Sequence, residues 1–121
     1  MIKEAYVSFE VAKLLKDKGF DIPCSGRYSV RSKEFHLDCT KMCNNGGLFE
    51  CAAPTHQMAM KWLREVHNID IFPWKIGKGI YSCAIFNSNT GQDLSSNKDF
   101  PSEKYEETVE VAIKYCLENI I

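Results

Sequence analysis

No stretch of this chain approaches the ~18 consecutive apolar residues that a membrane span requires, so no membrane partner is expected. The opening MIKEAYVSFE has no apolar core of the kind a secretory leader carries, and a cytoplasmic location is the expectation. No sign of charge dominates either. Lys and Arg total 15, Asp and Glu total 16, and the net charge is −1. Residues 1–50 hold 8 basic and 7 acidic side chains, and residues 51–121 hold 7 and 9. Nucleic-acid-binding domains usually show a basic patch, so nucleic acid is a disfavoured partner.

Catalytic signatures are missing as well. No serine sits in a Gly-x-Ser-x-Gly elbow. No glycine opens a helix after a strand in a phosphate-cradling pattern. No carboxylate pair stands in an apolar setting, and Glu103, Glu106 and Glu107 read as the solvated start of a helix. An enzyme is not expected. What is present is a balanced composition, 45% hydrophobic and 26% charged over 121 residues. That suits a single globular domain spanning 1–121.

The stretch APTHQMAMKWLREVHNIDI, residues 53–71, organises the rest. Thr55 is the expected N-cap, because its hydroxyl can accept from an unsatisfied N–H one turn on. Ala59, Trp62, Leu63 and Val66 fall at i, i+3, i+4 and i+7, one apolar stripe. Arg64 and His67 occupy the last turn, where positive charge suits the helix end. Asn68 can take a left-handed conformation and stop the helix. Ile69 and Ile71 alternate with Asp70 in strand period.

The flanking segments are shorter. Ser8 caps an expected helix from Phe9 to Lys18, and Gly19 with Phe20 gives it a Schellman-type ending. Tyr28 and Val30, then Phe35 and Leu37, alternate as two strands, with a tight turn at Ser32-Lys33. Residues 38–52, with Asn44-Asn45-Gly46-Gly47, read as a loop or insertion. Ile69 to Ile76 is an expected strand in which Pro73 implies an edge or a bulge, and the apolar parity shifts there. Gly77-Lys78-Gly79 makes the turn, and Ile80 to Phe86 is a return strand, apolar on both faces and so expected to be central. A last helix, capped by Asp99 or Ser102, buries Tyr105, Val109, Ala112, Ile113, Cys116 and Ile120. The expected class is α+β, in the order α-ββ-α-ββ-α, with antiparallel sheet and helices packed on one face.

Three segments, SFEVAKLLKDKGF, APTHQMAMKWLREVHNI and YEETVEVAIKYCLENII, together resemble a family of small proteins common in phages and prophages of Bacteroidetes-type gut anaerobes. The likeness covers most of the chain. It departs at Cys39 to Glu50, whose cysteines are outside the family pattern. The resemblance implies an accessory protein of a mobile element, and no activity, cofactor or catalytic residue.

Six cysteines need a reading. Cys83 and Cys116 sit on apolar stripes and read as small buried hydrophobes. His36, Cys39, Cys43 and Cys51 form H-x2-C-x3-C-x7-C, residue types that zinc accepts, but the spacing matches no standard module. Unrelated loop cysteines are the favoured reading and no cofactor is expected, with a zinc-stabilised small module as the alternative. A Cys51–His56 nucleophile pair would need an orienting third group, and nothing marks one. Tyr28, Trp74 and Tyr81 are the candidates for contact with a partner, since aromatics anchor protein interfaces. A core role competes with that one, and base stacking assisted by Arg27, Arg31 and Lys33 is the nucleic-acid alternative. The leading expectation is a non-enzymatic module binding a protein, with homodimerisation open if Ile76 to Phe86 forms an edge.

Overall fold

A computed structural model describes residues 3–37, 45–96 and 98–121. Among these the elements run α1 (Phe9–Asp17), β1 (Gly26–Ser29), β2 (Phe35–Leu37), β3 (Glu50–Ala52), α2 (His56–His67), β4 (Ile69–Gly77), β5 (Ile80–Asn87) and α3 (Tyr105–Asn119). The class is α+β, with two antiparallel sheets. The chain divides into two compact units, Met1–Met58 and Ala59–Ile121.

In the first unit, α1 forms between the two signals that frame it. Ser8 Oγ accepts from Val11 N–H at 3.2 Å. At the other end Gly19 takes φ +91°. Its N–H donates to Lys16 O, and Phe20 N–H donates to Leu15 O at 2.9 Å, the paired bonds of a Schellman ending. Phe20 and Leu15 are both buried. The sheet has the order β2-β1-β3. The β1–β2 turn is longer than the expected two residues. Lys33 N–H reaches back to Ser29 O, Ser29 N–H donates to Glu34 O, and Lys33 sits at φ 59°. β3 corrects the loop expected over 38–52, since Glu50, Cys51 and Ala52 pair with Ser29, Tyr28 and Arg27. The loop residues 38–44 lie outside the described ones. Gly26 is tightly hemmed in on β1, because a Cβ there would stand 2.7 Å from the Ala53 carbonyl.

α2 crosses the boundary between the units. Thr55 Oγ1 accepts from Met58 N–H at 3.2 Å, and Asn68 ends the helix at φ 57°. Ala59, Met60, Trp62 and Leu63 are buried, but Val66 is 57% exposed and drops out of the expected stripe.

In the second unit β4 and β5 pair in register from Ile69–Asn87 to Lys75–Tyr81. The register shift falls between Lys75 and Gly77, so Ile76 is the bulged residue and Pro73 remains in the ladder opposite Cys83. The sequence placed the irregularity three residues too early. Gly79, at φ 74°, reverses the chain. β5 is the inner strand of its surroundings. Beyond it, Tyr81 and Ser102 exchange two backbone bonds, Leu94 N–H donates to Ile85 O, and Asn87 N–H donates to Gln92 O. α3 packs on the β4–β5 face that buries Ile69, Ile71, Cys83 and Ile85. The expected side-chain cap on α3 does not form. Lys104 is its N-cap residue without a side-chain bond, and the Ser102 hydroxyl accepts from Lys104 N–H instead. Val109, Ala112, Ile113 and Cys116 are buried as the stripe implied, while Tyr105 is exposed.

Candidate functional site

The β4–β5 hairpin has two unlike faces. Opposed residues of an antiparallel pair share a face, and successive residues alternate. The Tyr81, Ile85 and Asn87 peptide groups point away from β4. Ser82, Ala84 and Phe86 therefore bond to Trp74, Phe72 and Asp70, while Ile71, Pro73 and Lys75 direct their peptide groups to the outer edge of β4. Pro73, which has no N–H, thus sits where no ladder bond is lost.

On the side-chain level, α3 covers one face. The Cys83 thiol lies 3.6 Å from Thr108 Oγ1, whose hydroxyl donates to the Phe100 carbonyl. Phe72 and Trp74 stand on the other face and remain 61% and 49% exposed. At the tip, Ile76 and Ile80 are 43% and 41% exposed. Every residue from Trp74 to Ile80 is exposed. Lys75 and Lys78 are the charges of this tip, and residues 71–92 contain no carboxylate. Asp70, at the base of the hairpin, lies 4.0 Å from Arg64.

The three aromatic candidates are dispersed. Trp74 is on the outer face. Tyr81 is on the α3 face, edge-on to Tyr105 at 5.8 Å with the Lys75 ammonium 6.0 Å from its ring. Tyr28 belongs to the first unit, where Tyr6, Phe35, Tyr28 and Phe9 form a chain of rings 5.1–5.7 Å apart. Its hydroxyl donates to Val7 O at 2.7 Å. Ile76 and Ile80 escaped the sequence reading.

The three cations of the nucleic-acid alternative each lie against their own chain. Arg27 is 3.4 Å from the Glu50 carboxylate. The Arg31 guanidinium lies over Phe49 and the Lys33 ammonium over Phe9, each 5.7 Å from the ring centre.

Of the four zinc-type candidates, Cys39 and Cys43 lie outside the described residues. His36 is opposite Arg27 and Cys51 opposite Tyr28, so the pleat sends them to opposite faces of the sheet. Cys51 is not a loop residue but a buried one on β3. Burial raises its thiol pKa, against the pull of Lys16 and Lys13. Burial likewise raises Cys83, opposed by its hydrogen bond with Thr108. Burial, with Cys83 nearby, pushes Cys116 up to about 12. Such thiols stay protonated and inert at neutral pH. Among the described residues no group of three or more His, Cys, Asp or Glu side chains is placed to hold a metal ion. His56 is buried, and its backbone N–H donates to Ala5 O.

A groove of about 490 Å³ lies between residues 98–102 and α3, lined by Phe100, Val111 and Tyr115, with Lys98, Lys114 and Glu118 at its rim. Its rim mixes both signs, and Lys98 is already over the Tyr115 ring at 5.5 Å. Among the described residues no helix is long and apolar enough to cross a membrane. No protein-family model, no curated protein and no solved structure matches this chain.

Proposed function

We propose that this chain is a small non-enzymatic interaction module of phage or prophage type, which docks a protein partner on the outer face and tip of the β4–β5 hairpin. The observation that carries the reading is the run of exposed apolar side chains Phe72, Trp74, Ile76 and Ile80 on one hairpin. Contiguous exposed apolar surface is a mark of interaction sites, and Trp is the residue type most enriched among interface anchors. The two isoleucines favour protein over nucleic acid, because bases stack on aromatic rings and gain little from branched aliphatic chains. Lys75 and Lys78, unopposed by carboxylates over 71–92, complement a partner whose apolar pocket is ringed by Asp and Glu. The protonated thiols of Cys51, Cys83 and Cys116 support the non-catalytic part of the reading.

The test places a photo-crosslinking residue at position 80 and, as a control, at Lys13 on the other unit, in cells that carry the gene. A protein crosslinked from position 80 alone is then purified and titrated. Trp74→Ala should weaken its binding by at least about 30-fold, the scale of an interface anchor. Equal affinity for wild type and variant would refute the site. A low-salt shift of labelled DNA or RNA, abolished by the same substitution, would replace protein with nucleic acid as the partner.

A further inference from the structure

Asn45-Gly46 is the one Asn-Gly pair in the sequence, and the fold has taken hold of both ends of its amide. Asn45 Nδ2 donates to Phe20 O at 2.6 Å, and Asn45 Oδ1 accepts from Ala52 N–H at 2.6 Å. Phe20 and Ala52 are buried. The side chain thus ties the residue that follows the α1 cap to the outer edge of β3. We propose that Asn45 is a deamidation site gated by these two bonds, so that its conversion to aspartate records opening of the β3 edge and makes it irreversible.

The chemistry needs only water. The Gly46 nitrogen, after losing its proton, attacks Cγ of Asn45. A C–N bond forms, ammonia leaves, and a five-membered succinimide results. Water opens the ring at either carbonyl, giving aspartate or isoaspartate. The net change is one amide and one water converted to one carboxyl group and one ammonia. Glycine has no Cβ to hinder its nitrogen, which makes this pair the most reactive asparagine context in the chain. In the fold, however, Cγ cannot swing onto the Gly46 nitrogen while Nδ2 and Oδ1 are both held. The rate then scales with the fraction of molecules in which the edge is open.

The product cannot rebuild the tie. A carboxylate has no N–H to donate, so the Phe20 carbonyl meets an anionic oxygen where it had a donor. The Ala52 N–H keeps an acceptor. One of the two bonds is replaced by repulsion, and the edge stays loosened.

Two measurements decide the matter. The purified protein is held at mildly alkaline pH, folded and in urea, and the peptide containing residues 45–46 is followed by mass spectrometry for the one-dalton gain. Asn45 should be the fastest asparagine to react in urea, and its rate in the folded protein should be about tenfold lower or less, as for a reaction through an opened state. Equal rates would overturn the gating, and faster reaction at another asparagine in urea would overturn the site. Separately, Asn45→Asp should melt below wild type. An unchanged melting temperature would show that the bond to the Phe20 carbonyl holds nothing and would overturn the consequence.

Discussion

In residues 1–58 the β3 edge of the sheet is sealed by side chains, whereas in residues 59–121 the β5 edge is sealed by backbone. Beyond β3, Ala52 N–H is met by Asn45 Oδ1 and Glu50 O by Lys16 Nζ at 2.8 Å. Beyond β5, Gln92, Leu94 and Ser102 supply peptide groups to Asn87, Ile85 and Tyr81. A side-chain seal depends on one or two particular residues. A backbone seal tolerates most substitutions, because every residue but proline carries the same donor and acceptor. The aromatics divide less cleanly. In the first unit Tyr6, Phe9, Tyr28 and Phe35 lie ring against ring. In the second, Phe72 and Trp74 face solvent. Both units also hold the opposite kind: Phe49 of the first is 64% exposed, and in the second Tyr81 lies against Tyr105 and Phe100 against Tyr115.

The sharpest way to break that contrast is to test whether the second unit has a core of its own. Trp62 is 4% exposed, so Trp62→Ala should cost about 3–5 kcal/mol, read as a large drop in the urea midpoint. An unchanged midpoint would place Trp62 with Trp74 as a contact residue. The first unit has a counterpart in Gly26. A Cβ there stands 2.7 Å from the Ala53 carbonyl and 3.1 Å from both the Phe35 and the Tyr6 rings. Backbone cannot yield as a flexible side chain does, so Gly26→Ala should cost about 1–3 kcal/mol. A near-neutral result would mean that β1 and residue 53 shift apart freely, and that the side-chain seal is not needed.

These two positions also show where sequence reasoning succeeds and stops. Trp62 was legible because helix period and helix punctuation are local: Ser8, Gly19, Thr55 and Asn68 each act on peptide groups within a turn of themselves. Gly26 was not legible, because its neighbours are brought in from residues 6, 35 and 53. β3 escaped for the same reason. Three residues are too few to show alternation, and only pairing with β1 makes them a strand. On the hairpin, Pro73 correctly signalled an outer edge. The bulge at Ile76 is set by cross-strand register and by the turn at Gly79, neither of which a single strand's sequence encodes. Trp74 is legible as a contact candidate from its residue type, and the branched aliphatic Ile76 and Ile80 are not.

Titration tests the core of the second unit more gently. The Cys116 thiol on α3 is raised from its ordinary value of 9.0 to about 12 by burial. In the unfolded chain it loses its proton first, so between those values the folded state binds more protons. Stability is then fully present below pH 9 and falls as pH rises towards 12, by about 1.4 kcal/mol per pH unit from this group. Cys83, raised in the same direction, adds to the slope. Cys116→Ala should flatten the alkaline limb of the melting curve. A limb as steep as wild type would assign the alkaline loss to other groups.

The smallest effect on stability is expected at Pro73, and it bears on an edge that neither seal covers. Among the described residues β4 pairs with β5 alone, and the peptide groups of Ile71, Pro73 and Lys75 face outwards. Exposed strand edges invite pairing with another chain, and proline, a charged lysine and a bulge are common defences. Here Pro73 interrupts the donors and Lys75 and the Ile76 bulge follow it. Pro73→Val restores an N–H on that edge and installs a residue that favours strand. Pro73 is half-buried opposite Cys83, and a side chain of similar volume there should change the melting free energy by less than about 1 kcal/mol. Its expected signature is association: a concentration-dependent shift to dimer in sedimentation equilibrium, beyond that of wild type. That outcome would show β4 to be an edge kept single by one imino acid, so that a partner reaches the hairpin across the face of Phe72 and Trp74. If Pro73→Val and wild type sediment alike, the bulge and Lys75 are sufficient guards, and the proline serves only the local path of the strand.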